Sequence, residues 1–219
     1  MNVSELEAQL HEAQIRLQAA RRGNAPLKEH IAAGEAVLEA ERALSLAKGE
    51  EVAVACDWAY LWDPNDPSPH VLSSALRTYL IYNVNEWKLS EVSPYSSSEN
   101  TIAEPVIALV EFTHCDAYRF SNINEEVLTG HPLWGKGLDL YGAHEVIHSQ
   151  WLAEVQRINM VHEHYNPQQW TKLRHYLLVF RDNIFECLAD GYKIEVLQDS
   201  LEHVTELARV QLFELEKNS

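Results

Sequence analysis

The residues best suited to chemistry in this chain lie in the pentapeptide His144-Glu145-Val146-Ile147-His148. It matches the H-E-x-x-H pattern with which metalloproteases hold zinc on a helix. Positions i and i+4 of a helix share one face, so two imidazoles could bind one metal ion. Glu145 would then act as the base for a zinc-bound water. One interpretation is therefore a zinc-dependent metallohydrolase with His144 and His148 as ligands.

The flanking residues favour a different interpretation. Ser149 is a good N-cap, which would start the helix at about residue 150 and leave 144–148 in a strand. In a strand the two histidines would lie about 13 Å apart, too far to share one ion. A catalytic zinc also needs a third ligand. The pair Glu186 and Asp190 precedes Gly191, and the Asp-Gly dipeptide predicts a hairpin turn rather than a ligand helix. We therefore expect no cofactor, with zinc as the alternative.

The charge of the chain is strongly negative and unevenly distributed. Its 219 residues include 17 Lys and Arg against 33 Asp and Glu, a formal net charge of −16. Residues 1–50 hold 6 basic and 8 acidic groups, so the remainder holds 11 and 25 and carries −14. Such a surface repels nucleic-acid phosphates and anionic membranes. We expect a basic protein partner, no nucleic-acid binding and no membrane binding.

Cysteine usage and hydropathy indicate a cytoplasmic location. Cys56, Cys115 and Cys187 are scattered without C-x-x-C spacing, which fits buried thiols in a reducing compartment. Residues 1–7 lack the basic and apolar regions of a signal peptide. The apolar runs, such as 106–110, are too short to span a membrane.

Residues 1–49 predict a helical hairpin arm. Residues 3–22 are strong helix formers, and Ser4 with Glu7 matches a capping box. A break containing Gly and Pro separates this helix from a second one at 27–48. The first helix carries a heptad seam of Leu6, Leu10, Ala13, Leu17 and Ala20. The arm either docks on the body or pairs two chains into a homo-oligomer.

Residues 50–219 predict an α+β body. Segments rich in β-branched and aromatic residues predict strands, at 52–62, 76–84, 106–120, 173–181 and 184–189, with a further strand after Gly191. The third strand is expected to bend near Cys115-Asp116. Loops are predicted at 63–69 and 90–100, and an amphipathic helix at 197–215. The expected fold is a helical hairpin followed by an antiparallel sheet flanked by helices.

Aromatic residues concentrate in the first strands of the body. Residues of this kind usually fill a core or an interface. We select Tyr60, Trp62 and Tyr82 as the apolar centre of a binding surface, with core packing as the alternative.

Four short segments resemble a family of uncharacterised bacterial proteins. They are Gly130-His131-Pro132-Leu133, Tyr141-Gly142, Ser149-Gln150-Trp151 and Phe185-Glu186-Cys187. The resemblance covers roughly residues 58–192 and implies no activity. The pattern of that family does not need histidine at positions 144 or 148, which further weakens the zinc interpretation.

The leading interpretation is a non-enzymatic, acidic protein-binding module. Immunity proteins and antitoxins are small acidic proteins that neutralise or escort a basic partner, and charge and size suggest a similar role here. This step is an association, because fold and charge alone do not define function. The alternative is the zinc-dependent metallohydrolase with Glu145 as its base.

Overall fold

The computed structural model describes residues 2–23, 25–66, 68–74, 77–85 and 105–216, with the backbone alone for 214–216. The loop predicted at 90–100 lies outside these ranges. The helices are α1 (Val3–Arg22), α2 (Leu27–Ala47), α3 (Gln150–Asn159), α4 (Pro167–Trp170) and α5 (Leu201–Glu216). None of these described helices is long and apolar enough to cross a membrane.

The strands form two antiparallel sheets rather than one. They are β1 (Val52–Ala55), β2 (His70–Ser73), β3 (Thr78–Asn83), β4 (Val106–Thr113), β5 (Ala117–Ser121), β6 (Ala143–Ile147), β7 (Arg174–Val179), β8 (Ile184–Ala189) and β9 (Gly191–Gln198). The five-stranded sheet has the order β1-β6-β7-β8-β5, and the four-stranded sheet has the order β2-β3-β4-β9. The predicted α+β class, with a helical pair before the sheets, is confirmed.

The chain passes between the sheets at two short corners. The segment predicted as one bent strand is divided into β4 and β5, with His114 at φ 48° between them. The predicted hairpin turn at Asp190-Gly191 is wrong, because β8 pairs with β5 and β7 whereas β9 pairs with β4. A strand does follow Gly191, but it enters the other sheet.

The core lies between the two sheets and on both of their outer faces. Between the sheets, residues of β3 and β4 meet residues of β6, β7 and β8 in an aromatic cluster around Phe112 and Phe185. The outer face of the four-stranded sheet is covered by α5 through Val204, Ala208 and Leu212. The outer face of the five-stranded sheet is covered by Leu128, Leu133 and Leu138 from the β5–β6 connection. This last face carries the site described below.

The N-terminal arm is a helical pair whose second helix, α2, lies against the β5–β6 connection and close to β1. Its capping box uses Asn2 and Glu5 rather than the predicted Ser4 and Glu7. Helix α2 approaches the β5–β6 connection, where an added Cβ at Gly135 would lie 3.6 Å from Glu41 and 3.9 Å from Leu38. The arm was expected either to dock on the body or to pair two chains. In this single chain, α2 docks on the body.

Deleting residues 1–49 should leave a folded body. None of the three buried apolar clusters includes a residue of the arm, and apolar burial is the main source of stability. Circular dichroism of the truncated chain should show a cooperative thermal transition, and size-exclusion chromatography should reveal any changed association. Outright unfolding of the truncated chain would show that the arm is integral to the core.

Candidate functional site

The H-E-x-x-H segment is a strand and a turn, not a helix. β6 ends at Ile147, and the Ser149 hydroxyl caps α3 by accepting the Leu152 N–H at 3.0 Å. The helical placement of His144 and His148 is therefore wrong, and the strand alternative is confirmed. The geometric basis for two histidine ligands on one helix face is lost.

The three residues assigned to the zinc alternative have separate environments. His144 is 1% exposed, its Nε2 accepts the Asp139 N–H at 3.2 Å, and burial lowers its pKa. His148 is exposed with a left-handed backbone, φ 57°. Glu145 is paired with Arg174 at 2.7 Å. In the part of the chain that the structure describes, no three His, Cys, Asp or Glu residues are grouped to hold a metal.

We expect the purified protein to contain well under one zinc per chain. His144 is buried within β6, whereas His148 is exposed in the turn after it, and a catalytic site also needs a third ligand. Elemental mass spectrometry of the wild type and of His148→Ala should give the same low content. About one zinc per chain, lost in His148→Ala, would restore the metallohydrolase interpretation.

A hydrogen-bonded chain of three side chains lies on the outer face of the five-stranded sheet. The Ser149 hydroxyl contacts His175 Nδ1 at 2.8 Å, and His175 Nε2 contacts the Glu186 carboxylate at 3.0 Å. Ser149 comes from the start of α3, and the other two come from the adjacent strands β7 and β8. His175 is 4% exposed and Ser149 8% exposed. We call this chain the relay.

The relay separates two open cavities. One, of about 490 Å³, is bordered by Glu186, His175, His131 and Trp151, and the guanidinium of Arg119 lies 3.9 Å above the Trp151 ring. The other, of about 480 Å³, is bordered by Ser149 and His175 together with residues of β6 and α3. Both volumes are in the range of small-molecule sites.

The hydrogen bonds fix the protonation of the relay. Burial by itself would raise the pKa of the Glu186 carboxyl, but the hydrogen bond from His175 and the nearby Arg119 guanidinium help to hold that pKa below its usual value. Because an ionised Glu186 can only accept, His175 Nε2 carries a proton, and in the neutral form of the ring Nδ1 is the acceptor. The Ser149 hydroxyl is therefore the donor to His175.

Stability should fall as the pH drops below about 6.5, the ordinary histidine pKa. Burial lowers the pKa of both His144 and His131, so the unfolded chain takes up these protons first and is favoured in acid. Glu186 adds to the loss at lower pH, because the contribution of a carboxyl with a lowered pKa disappears as pH falls through that pKa. Urea denaturation at pH 7.5, 6.0 and 5.0 measures this slope. His144→Leu should flatten it between pH 6.5 and 5, and an unchanged slope would contradict the assignment.

The aromatic residues selected as a binding centre lie mainly in the core. Trp62 is 3% exposed and Tyr82 2%, and Tyr60 is half-buried. Their polar atoms bond inward, since Trp62 Nε1 donates to the Val179 carbonyl and the Tyr82 hydroxyl to the Tyr60 carbonyl. Trp62 and Tyr82 also line a shallow hollow that is bordered by three aspartates and by Arg181.

A further cavity, of about 540 Å³, lies elsewhere and is polar. It is lined by His114, His162, His164 and Asp190 among others, and His114 pairs with Asp190 at 3.1 Å. His162 and His164 are largely exposed side chains of the α3–α4 connection. No hydrogen-bonded chain comparable to the relay joins these groups in the described residues.

The relay was not predicted from the sequence, although its members carry signals. The sequence predicts Ser149 as a helix cap, and Glu186 belongs to the pair that could supply a third zinc ligand. His131, Ser149, Trp151 and Glu186 come from three of the four segments that carry the family resemblance, and these segments meet here. His175 and Arg119 lie outside those segments. The pairing of β7 and β5 with β8 places both residues beside Glu186.

The comparisons with known proteins add no identification. No family model, no curated protein and no solved structure matches this chain.

Proposed function

We propose that this chain is an acidic protein-binding module, immunity- or antitoxin-like, which binds a basic protein partner. The observation that carries the proposal is a cluster of carboxylates at one end of the sheets. Asp63, Asp66 and Asp182 outnumber the one basic residue, Arg181, in the lining of a hollow that Trp62 and Tyr82 also border. We call Asp63, Asp66, Asp182 and the nearby Glu125 the acidic end.

The acidic end is held in place by local hydrogen bonds. Asp63 accepts the backbone and side-chain N–H groups of Asn65 at 2.8 and 3.1 Å. Glu125 is tied to the β7–β8 turn, because its N–H donates to the Arg181 carbonyl at 2.9 Å. A carboxylate cluster that is already ordered loses less conformational entropy on binding.

The size of the hollow matches a compact cation. Its accessible volume is about 10 Å³, close to one water-sized probe. A lysine ammonium has this size and is attracted both to carboxylates and to aromatic groups. The exposed apolar residues Val127 and Leu140 lie close in sequence to Glu125 and to its hydrogen-bond partner Tyr141. They supply the apolar contact that charges at a rim do not provide.

The net charge of the body supports the same kind of partner. A charge of −14 outside residues 1–50 speeds encounter with a basic protein and slows encounter with nucleic acid. The negative charge of the whole surface therefore steers the basic partner, and the acidic end makes the direct contact with it.

Affinity capture from cells of the native host tests this proposal. The bait is the wild type or the triple variant Asp63→Asn, Asp66→Asn and Asp182→Asn, which removes three charges and keeps the acceptor oxygens. The matched control removes three exposed charges elsewhere, through Asp57→Asn, Glu163→Gln and Glu195→Gln. A basic protein captured by the wild type and the control but lost from the triple variant would support the proposal. Capture of nucleic acid alone, or equal capture by all three baits, would contradict it.

A further inference from the structure

We propose that Ser149 is a nucleophile, activated by His175 and oriented by Glu186, that accepts the acyl group of a carboxylic ester. This activity does not depend on partner binding at the acidic end, which lies at the opposite end of β7. An esterase activity would contradict the expectation that the chain is non-enzymatic, but not the proposed binding of a basic protein.

The first support is the relay itself. The Ser149 hydroxyl donates to His175 Nδ1 at 2.8 Å, and Nε2–H donates to Glu186 at 3.0 Å. A serine beside a basic imidazole whose other nitrogen is held by a carboxylate is the arrangement that activates a hydroxyl. Either ring nitrogen can be the base, because a neutral imidazole has one donor and one acceptor nitrogen.

The second support is the backbone around Ser149. The chain runs from β6 through His148, at φ 57°, directly into α3. A non-glycine residue in the left-handed region is strained, and such strain concentrates at functional sites. A sharp strand-to-helix turn is also how α/β-hydrolases present their serine. Ser149 thus lies at the positive end of a ten-residue helix, which stabilises an alkoxide.

The third support is an anion already bound by the first amide of α3. The Gln150 N–H donates to a carboxylate oxygen of Glu51 at 2.6 Å. This amide is therefore directed at a negatively charged oxygen one residue from Ser149. Gln150 and Glu51 line the cavity of about 490 Å³, across the relay from the groove that Ser149 borders. We assign the Gln150 N–H as the oxyanion donor for a carbonyl oxygen that enters from this cavity, once the half-buried Glu51 side chain moves aside.

The groove beside Ser149 indicates the substrate class. Ser149 borders the cavity of about 480 Å³, whose other lining residues include the apolar Val146, Ile147, Leu152 and Leu173. An apolar acyl chain suits this surface. The ion pair of Glu145 and Arg174 lies at the same groove and makes this part of its lining polar.

The reaction balances without a cofactor. Ser149 Oγ forms a bond to the carbonyl carbon while its proton passes to His175 Nδ1, and Glu186 stabilises the imidazolium. The bond from that carbon to the alkoxy oxygen then breaks, and the leaving alcohol takes the proton from Nδ1. Water attacks the acyl-serine and gives a proton to Nδ1. Serine leaves and regains that proton, which releases a carboxylic acid.

The alternative is that Ser149 is only a helix cap. The chain provides a control for this, because Ser200 accepts the His203 N–H at 3.2 Å just before α5. No hydrogen bond from the Ser200 hydroxyl to a histidine ring is present in the described residues. A cap by itself therefore predicts similar behaviour of Ser149 and Ser200, whereas the proposal predicts that only Ser149 reacts.

The full-length protein is treated with a fluorophosphonate probe and with p-nitrophenyl butyrate. Intact mass should show one added label, and peptide mapping should place it on Ser149. Ser149→Ala should abolish labelling and ester turnover, and His175→Gln should lower both at least about 100-fold. Ser200→Ala should react like the wild type. Glu51→Ala, which frees the Gln150 N–H, should react faster.

Labelling of the wild type decides the question even where a variant fails to fold. Absence of label, or label on another residue, would overturn the proposal. A folded His175→Gln variant that reacts at the wild-type rate would also overturn it. A Glu51→Ala variant that is not faster would overturn the assignment of the oxyanion donor.

Discussion

Gly137→Ala should lower the free energy of unfolding by about 3–5 kcal/mol, one of the largest effects available in this chain. Gly137 has φ 96°, a conformation that alanine rarely adopts, and its added Cβ would lie 2.1 Å from the Ala53 carbonyl oxygen. The contact is with β1 backbone, so it cannot be relieved by a side-chain rotation. The neighbouring bond from the Ala53 N–H to the Lys136 carbonyl, at 2.9 Å, should be lost as well.

Urea denaturation monitored by tryptophan fluorescence measures this effect. The matched control is Gly34→Ala, because no atom lies within 4 Å of its added Cβ and Gly34 is inside α2. Alanine is the better helix former, so the control should gain up to about 1 kcal/mol. A Gly137→Ala variant within about 1 kcal/mol of the wild type would show that the β5–β6 connection does not pack on β1 as described.

Phe112→Ala should lower the free energy of unfolding by about 3–5 kcal/mol. Phe112 is 0% exposed, and its ring contacts Trp58, Tyr176, Phe185 and Tyr192 with centroid distances of 5.3–6.4 Å. Removing it leaves a cavity between two sheets that can relax only partly.

The same denaturation experiment applies to the core, with Phe213→Ala as the control. Phe213 is 51% exposed on α5, and its substitution should cost less than about 1 kcal/mol. If the two phenylalanine variants lose similar stability, the aromatic cluster is not the centre of the core.

Local sequence signals predicted local structure well. The helix formers and break of the arm, the Ser149 cap and the β7–β8 hairpin all appear at the expected places. Each depends on residues a few positions apart, where propensity and capping act directly. β2 was missed, because its four residues follow the proline-rich loop at 63–69 and carry little alternation.

The division into two sheets could not be predicted, because it depends on pairings between distant strands. Asp190-Gly191 is a typical hairpin-turn dipeptide, yet β9 pairs with β4 rather than with β8. A hairpin turn and a short connection between two sheets carry similar residues. They differ in which faces of the following strand are buried, and that depends on tertiary packing.

The candidate site was predictable in part. In the β7–β8 register Leu177 lies opposite Glu186, so His175 is two positions along on the same face and within reach of it. Ser149 could not be added from the sequence, since β6 first has to be placed beside β7. The H-E-x-x-H pattern was the most conspicuous signal, yet its residues lie at the end of a strand with separate partners.

The most direct test of the central claim, a basic partner at the acidic end, is the association rate of the captured partner at increasing ionic strength. Stopped-flow fluorescence from 50 to 500 mM salt should show the wild-type rate falling at least about tenfold, because salt screens charge steering. The variant Asp63→Asn, Asp66→Asn and Asp182→Asn should associate more slowly than the wild type at low salt and respond less to added salt. A wild-type rate that does not depend on salt, or equal rates for wild type and variant at 50 mM, would contradict the account.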